Sequence, residues 1–105
     1  NYNSHMINKS KCYLFFETLG TKLKIDIIDV LKGKQLSVNE LAKALNQERS
    51  KVSHALLSLH ECGFVDVKKE GKSRIYSLNR ETILPLLSLI EKHVKKYCKV
   101  CKKLK

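Results

Sequence analysis

Proline occurs once and glycine only four times in 105 residues, so the chain has little material for linkers or long loops. No stretch approaches the ~18–20 consecutive apolar residues of a membrane span, and no membrane partner is expected. The N-terminus lacks an apolar segment followed by small residues, so no secretory signal is expected. The four cysteines then read as reduced thiols in a cytoplasmic setting. There is no Ser/His/Asp arrangement, no phosphate-binding glycine loop and no pair of carboxylates suited to a cleft. An enzyme is therefore not expected. Acidic residues are scarce: 10 against 21 basic ones, a net charge of +11. A surplus that large on one small domain favours a polyanionic partner.

No internal repeat interrupts the chain. Asn1 to His5, ahead of Met6, read as a cloning remnant, residues 6–98 as one domain and residues 99–105 as a basic C-terminal tail. A domain of this size buries only about 60–70% of its extended-chain surface, and dimerisation is a direct way to bury more.

Hydrophobic spacing places the elements. Ile7 to Leu19 reads as a helix apolar at Tyr13, Leu14, Phe16 and Leu19, broken by Gly20. Lys22 to Lys32 sets Leu23, Ile27, Val30 and Leu31 on one stripe, and Gly33 ends it. Ser37-Val38-Asn39-Glu40 is a capping-box pattern, in which serine and glutamate reciprocally satisfy backbone amides at a helix start. The helix it opens turns Val38, Leu41, Ala42 and Leu45 inward. After a short turn at Asn46-Gln47, Glu48 to Cys62 buries Val52, Ala55, Leu56 and Leu59. Its other side shows Arg49, Ser50, Lys51, Ser53, His54 and Ser58, and Gly63 stops it. The period then changes to two. Phe64 to Lys69 is a strand, Glu70 to Ser73 a turn and Arg74 to Leu78 the returning strand of a basic hairpin. A last helix starts near Thr82, with Pro85 in its first turn. Seven large aliphatics between Ile83 and Val94 are too many for one stripe and call for a second covering surface, most simply another subunit.

This order makes the fold mostly α with a small β-hairpin: a winged helix-turn-helix. Two helices crossing through a tight turn brace each other and leave the second with a free face that fits the ~12 Å major groove of double-stranded DNA. Arg49, Lys51 and His54 are candidates for groove contact, and Ser50 and Ser53 for phosphate contact or close approach. Lys69, Lys72 and Arg74 of the hairpin reach a neighbouring phosphate or the minor groove, or else keep an edge strand soluble. Tyr13, Phe16, Leu86, Leu87, Ile90 and Val94 are candidates for the dimer interface. Cys98 and Cys101, in a Cys-x-x-Cys spacing, suit two thiolates on zinc or another thiophilic metal, a disulfide switch, or no regulatory role. Two thiolates are short of the four ligands of structural zinc, and the others could come from Cys12, Cys62, His93 or the cysteines of a partner subunit. Cys62 reads as a small buried residue.

Phe16 to Gly20, Leu23-Lys24-Ile25, Leu36 to Ala42, Val52 to Leu56 with Leu59, Gly63 and Val65, and Gly71 to Leu78 resemble, in that order and spacing, the ArsR/SmtB-type winged-helix repressors. The resemblance covers roughly residues 14–95. It implies a transcription regulator that is a homodimer joined through its first and last helices, binds an imperfect palindrome and represses, often released by a metal or a thiol oxidant; such a dimer would make Cys12 the nearest companion of Cys98 and Cys101. The family's cysteine sensor sites fall where this chain has Leu36, Ser37 and Asn39. Its zinc sites fall where it has Asn79, Glu81 and a single His93, so neither standard sensor transfers. The competing reading is a winged-helix module for protein or RNA contacts without operator specificity.

Overall fold

The computed structural model describes residues 9–102, with side chains over residues 13–100. Helix α1 (Lys9–Leu19) ends at Gly20, and Thr21 caps helix α2 (Lys22–Leu31) by accepting a hydrogen bond from the Lys24 amide. The inward stripe of α2 is Ile27, Ile28 and Leu31, all essentially without solvent exposure. α1 is held by Leu19 and by Phe15, whose ring meets Phe64 edge-on at 4.9 Å.

The expected capping box is present. Ser37 Oγ accepts from the Glu40 amide at 3.2 Å, and Glu40 Oε1 accepts from the Ser37 amide at 2.9 Å. It starts helix α3 (Val38–Leu45), which buries Leu41 and Ala42 and ends at Asn46 in the left-handed region, φ 53°. Helix α4 (Arg49–Glu61) buries Val52, Ala55, Leu56 and Leu59, the four residues its spacing singles out. It closes through Gly63 at φ 79°. The Phe64 amide reaches Leu59 O at 2.9 Å and the Gly63 amide reaches His60 O at 3.0 Å. Those paired bonds satisfy the last carbonyls of the helix and require a residue tolerant of positive φ.

The sheet has three antiparallel strands in the order β1 (Leu36–Ser37), β3 (Ser73–Leu78), β2 (Val65–Glu70). Strand β1 was not expected. Two residues are too few to show a period, and their pairing with Ile75 and Tyr76 depends on where α2 delivers the chain. The hairpin turn is also tighter than Glu70–Ser73. The strands run to Glu70 and Ser73, leaving Gly71 and Lys72, with positive φ at Gly71, the position where a type II′ turn needs glycine. Asn79 ties hairpin to helix α5 (Ile83–Tyr97). Its Nδ2 donates to Gly63 O at 2.9 Å, and its Oδ1 accepts from the Glu81 and Thr82 amides at 3.0 and 3.3 Å.

α5 buries only Ile83 fully; Leu84, Leu86 and Leu87 are half-buried against the core. Further along, Lys32 Nζ meets Glu91 Oε1 at 2.8 Å. Cys98 is extended, at φ −86° and ψ 100°, and a separate short helix α6 (Lys99–Lys102) follows. The last helix is thus not continuous through the Cys-x-x-Cys segment. Cys62 is also a correction: it is exposed, because the closing turn of α4 faces it outward, although its Sγ lies 3.3 Å from the hydroxyl of buried Thr18.

Replacing Ser37 with alanine removes one half of the capping box and is expected to cost about 1 kcal/mol, a fall in melting temperature of roughly 4–8 °C. Thermal melts followed by circular dichroism check it. The Lys32–Glu91 pair sets a pH signature. The hydrogen bond and charge of Lys32 hold the Glu91 carboxyl below its ordinary 4.5, and the bond to Glu91 holds the Lys32 ammonium above its ordinary 10.5. The pair's contribution is complete between those values, fades as pH falls through the lowered carboxyl pKa, and fades again as pH rises through the raised lysine pKa. Glu91→Gln should melt below the wild type at pH 7 and together with it at pH 2.

Candidate nucleic-acid interface

The seat of α4 leaves one of its faces open. Arg49, Ser50, Lys51, Ser53 and His54 are all exposed, as are Lys69, Lys72 and Arg74 of the hairpin. Helix and hairpin meet in a concave surface where Arg49, Ser53, Arg74 and Tyr76 line adjoining clefts. Tyr76 of β3, 9% exposed, lines both clefts. The upper cleft adds Ser37 and Asn39 from the start of α3 and Lys72 from the turn. Two helix N-termini and three cations therefore converge, an arrangement suited to phosphate oxygens.

Not every expected residue lies in that concavity. Lys51 faces the other flank of α4, with Thr21 and Lys24. Lys69 pairs across the strands with Arg74 and lines neither cleft. Lys68 is engaged with Glu70 at 3.1 Å.

Four residues were missed. Asn39 Oδ1 accepts a 2.7 Å hydrogen bond from Arg49 Nε, joining the two helices of the motif. With Nε used, the guanidinium keeps its two terminal nitrogens as an end-on fork, the geometry for a guanine edge or a phosphate. Lys24, Leu57 and His60 line the flanks. Only the exposure of Asn39 beside Glu40 in the capped turn hinted at its role, since a contact ten residues apart depends on how the helices cross.

The expected dimer residues divide. Tyr13 and Phe16 are 65% and 59% exposed on α1, and Ile90 is exposed on α5. Leu86 and Leu87 pack partly against their own core, and Val94 is half-buried. Leu14 and Leu89, at 55% and 64%, extend the exposed apolar surface of the same two helices. Tyr13 donates from its hydroxyl to Glu17 at 3.1 Å, a bond and a negative charge that raise its pKa. Cys98 is half-buried; the side chains of Cys12 and Cys101 lie outside those described. Among the described residues no group of three or more His, Cys, Asp or Glu side chains could hold a metal ion. No helix among them is long and apolar enough to cross a membrane.

Residues 21–67 match the model for "Bacterial regulatory protein, arsR family". The uncharacterised HTH-type transcriptional regulator Rv0081 of Mycobacterium tuberculosis is 33% identical over 79 residues, 74% of this chain and 69% of that protein. The chain belongs to the ArsR family. The crystal structure of Rv0081 superposes with a TM-score of 0.76 at 30% identity, over 84% of this chain and 88% of the other. The transcriptional activator HlyU of Vibrio cholerae is 25% identical over 81% of this chain and 79% of its own. A homodimeric winged helix-turn-helix DNA-binding domain, Mb0332 of Mycobacterium bovis, shares the fold at TM-score 0.77 and 20% identity, over 85% and 82% of the two chains. The family is one of regulators, and this ArsR-family chain is not an enzyme.

If Asn39 pre-orients Arg49, Asn39→Ala should weaken binding to a preferred DNA duplex roughly 2- to 12-fold, the worth of one hydrogen bond. Fluorescence anisotropy measures it, and equal affinity would leave the Asn39–Arg49 bond without a part in recognition.

Proposed function

We propose that this ArsR-family chain is a homodimeric, sequence-specific regulator of transcription that binds double-stranded DNA through α4 and the hairpin wing. The observation that carries the reading is the convergence of Arg49, Ser53, Lys72 and Arg74 on one concave surface, with the opposite side of α4 buried in the core. A helix anchored on one side and polar on the other enters the major groove, and the wing beside it meets the flanking backbone. Lys51 and Lys24 on the far flank extend phosphate contact along the other strand. The cytoplasm of a bacterium is the compartment where such a protein meets its DNA. Occupying an operator represses by itself. HlyU is named an activator, so the sign for this chain is read from a reporter driven by the bound DNA.

The second copy is assigned to α1 and α5, where Tyr13, Leu14, Phe16, Leu89 and Ile90 expose apolar surface. Pairing there buries that surface and presents two recognition helices to two half-sites, which accounts for an imperfect palindrome.

Selection from random duplexes should enrich a palindromic site. Binding to it should fall steeply with salt, and Lys72→Ala and Arg74→Ala should each reduce the slope of log K against log salt by about 0.9, while Lys68→Ala changes little. An RNA or protein partner with no preference among duplexes would favour the competing module. The variant Phe16→Asp with Ile90→Asp should sediment as a monomer and lose palindrome affinity while keeping its circular dichroism spectrum.

A further inference from the structure

The outward face of α4 carries one residue that charge and polarity do not explain. Leu57 is 54% exposed, while the helix buries Val52, Ala55, Leu56 and Leu59 on the opposite side. A single exposed leucine is ordinary on most surfaces. This one is placed differently. Ser50, His54 and Leu57 are spaced four and three residues apart and form one stripe along the helix. His54 and Leu57 alone line both flanking clefts, one shared with Ser53, Val67 and Arg74, the other with Lys24 and Lys51. A residue bordering the clefts on both sides stands at the crest, where the helix penetrates a groove most deeply.

Resting on the DNA-binding reading of this face, we propose that Leu57 reads the 5-methyl group of a thymine in the major groove. Nearly everything a base pair displays there is a hydrogen-bond donor or acceptor; the thymine methyl is the exception. A leucine pressed over any other edge strips water from a polar group and returns no hydrogen bond, whereas over the methyl it buries apolar surface on both sides. With only three arginines in the chain, bidentate reading of guanine is sparse, and an apolar contact supplies discrimination that lysines cannot.

The test uses the full chain and the duplex enriched from a random library. Each thymine is replaced in turn by deoxyuridine, which removes the methyl group and nothing else. One thymine per half-site should prove sensitive, with wild-type binding about fourfold weaker on substitution, the loss expected for one buried methyl. Leu57→Ala should bind the thymine and uracil duplexes equally, and Leu57→Met should keep the difference. The proposal is overturned if every substitution is neutral to the wild type, or if the sensitivity survives in Leu57→Ala. Enrichment of no duplex at all would overturn the DNA-binding reading and this proposal with it. An enriched but methyl-indifferent duplex would remove this proposal alone.

Discussion

Val52, Leu56 and Leu59 have no solvent exposure and Ala55 has 6%; together they seat α4 in the cluster formed by Ile27, Ile28, Leu31, Leu41 and Phe64. Rolling the helix to turn another face outward would draw leucines into water at roughly 1.5–3 kcal/mol each. The orientation of the outward stripe is therefore fixed by burial on the far side, and its own residues need contribute nothing to stability. Arginine, lysine, serine and histidine can stand there because the core does not depend on them. The same separation lets this face vary in its recognition without unfolding the protein.

Backbone junctions then fix the wing to that helix. Gly63 allows the chain to leave α4 in one tight turn, and the next residue, Phe64, is already core. The Phe64 carbonyl accepts from the Asn79 amide at 3.0 Å, so the entrance and exit of the hairpin are joined at one point. Asn79 caps the approach to α5 as well. Ser37 does similar double service, closing β1 on Ile75 and opening α3. A few polar side chains, each holding two elements, set the distance between Arg49 and the wing cations.

Most of this architecture is legible in the sequence because it rests on local rules. The leucine and valine spacing of residues 52–59, the capping pair Ser37 and Glu40, and Gly63 all act within a few residues of themselves. What escapes is non-local or lacks a breaker. β1 exists only because β3 is beside it. Arg49 meets Asn39 only because two helices cross there. The helix break at Cys98 has no glycine or proline to announce it. Cys62 looks like a buried small residue by type, yet its position in the closing turn points it outward. Of the interface, the polar and basic residue types were legible, but not which flank of α4 Lys51 would take.

α5 is joined to the rest differently from α4. It is rooted by Ile83 and by half-buried Leu84, Leu86 and Leu87, and further along it Glu91 pairs with Lys32. An exposed ion pair contributes little on its own. The direction of α5 past Leu87 is consequently set less by its own domain than by whatever covers Leu89 and Ile90. If a second copy covers them, the packing between α1 and α5 fixes how far apart two α4 helices stand, and hence whether they match successive turns of the duplex about 34 Å apart. Recognition of individual bases and spacing of half-sites are then controlled by separate surfaces, joined through Lys32 at the end of α2. A change at the α5 interface can alter DNA affinity without touching a residue that meets DNA.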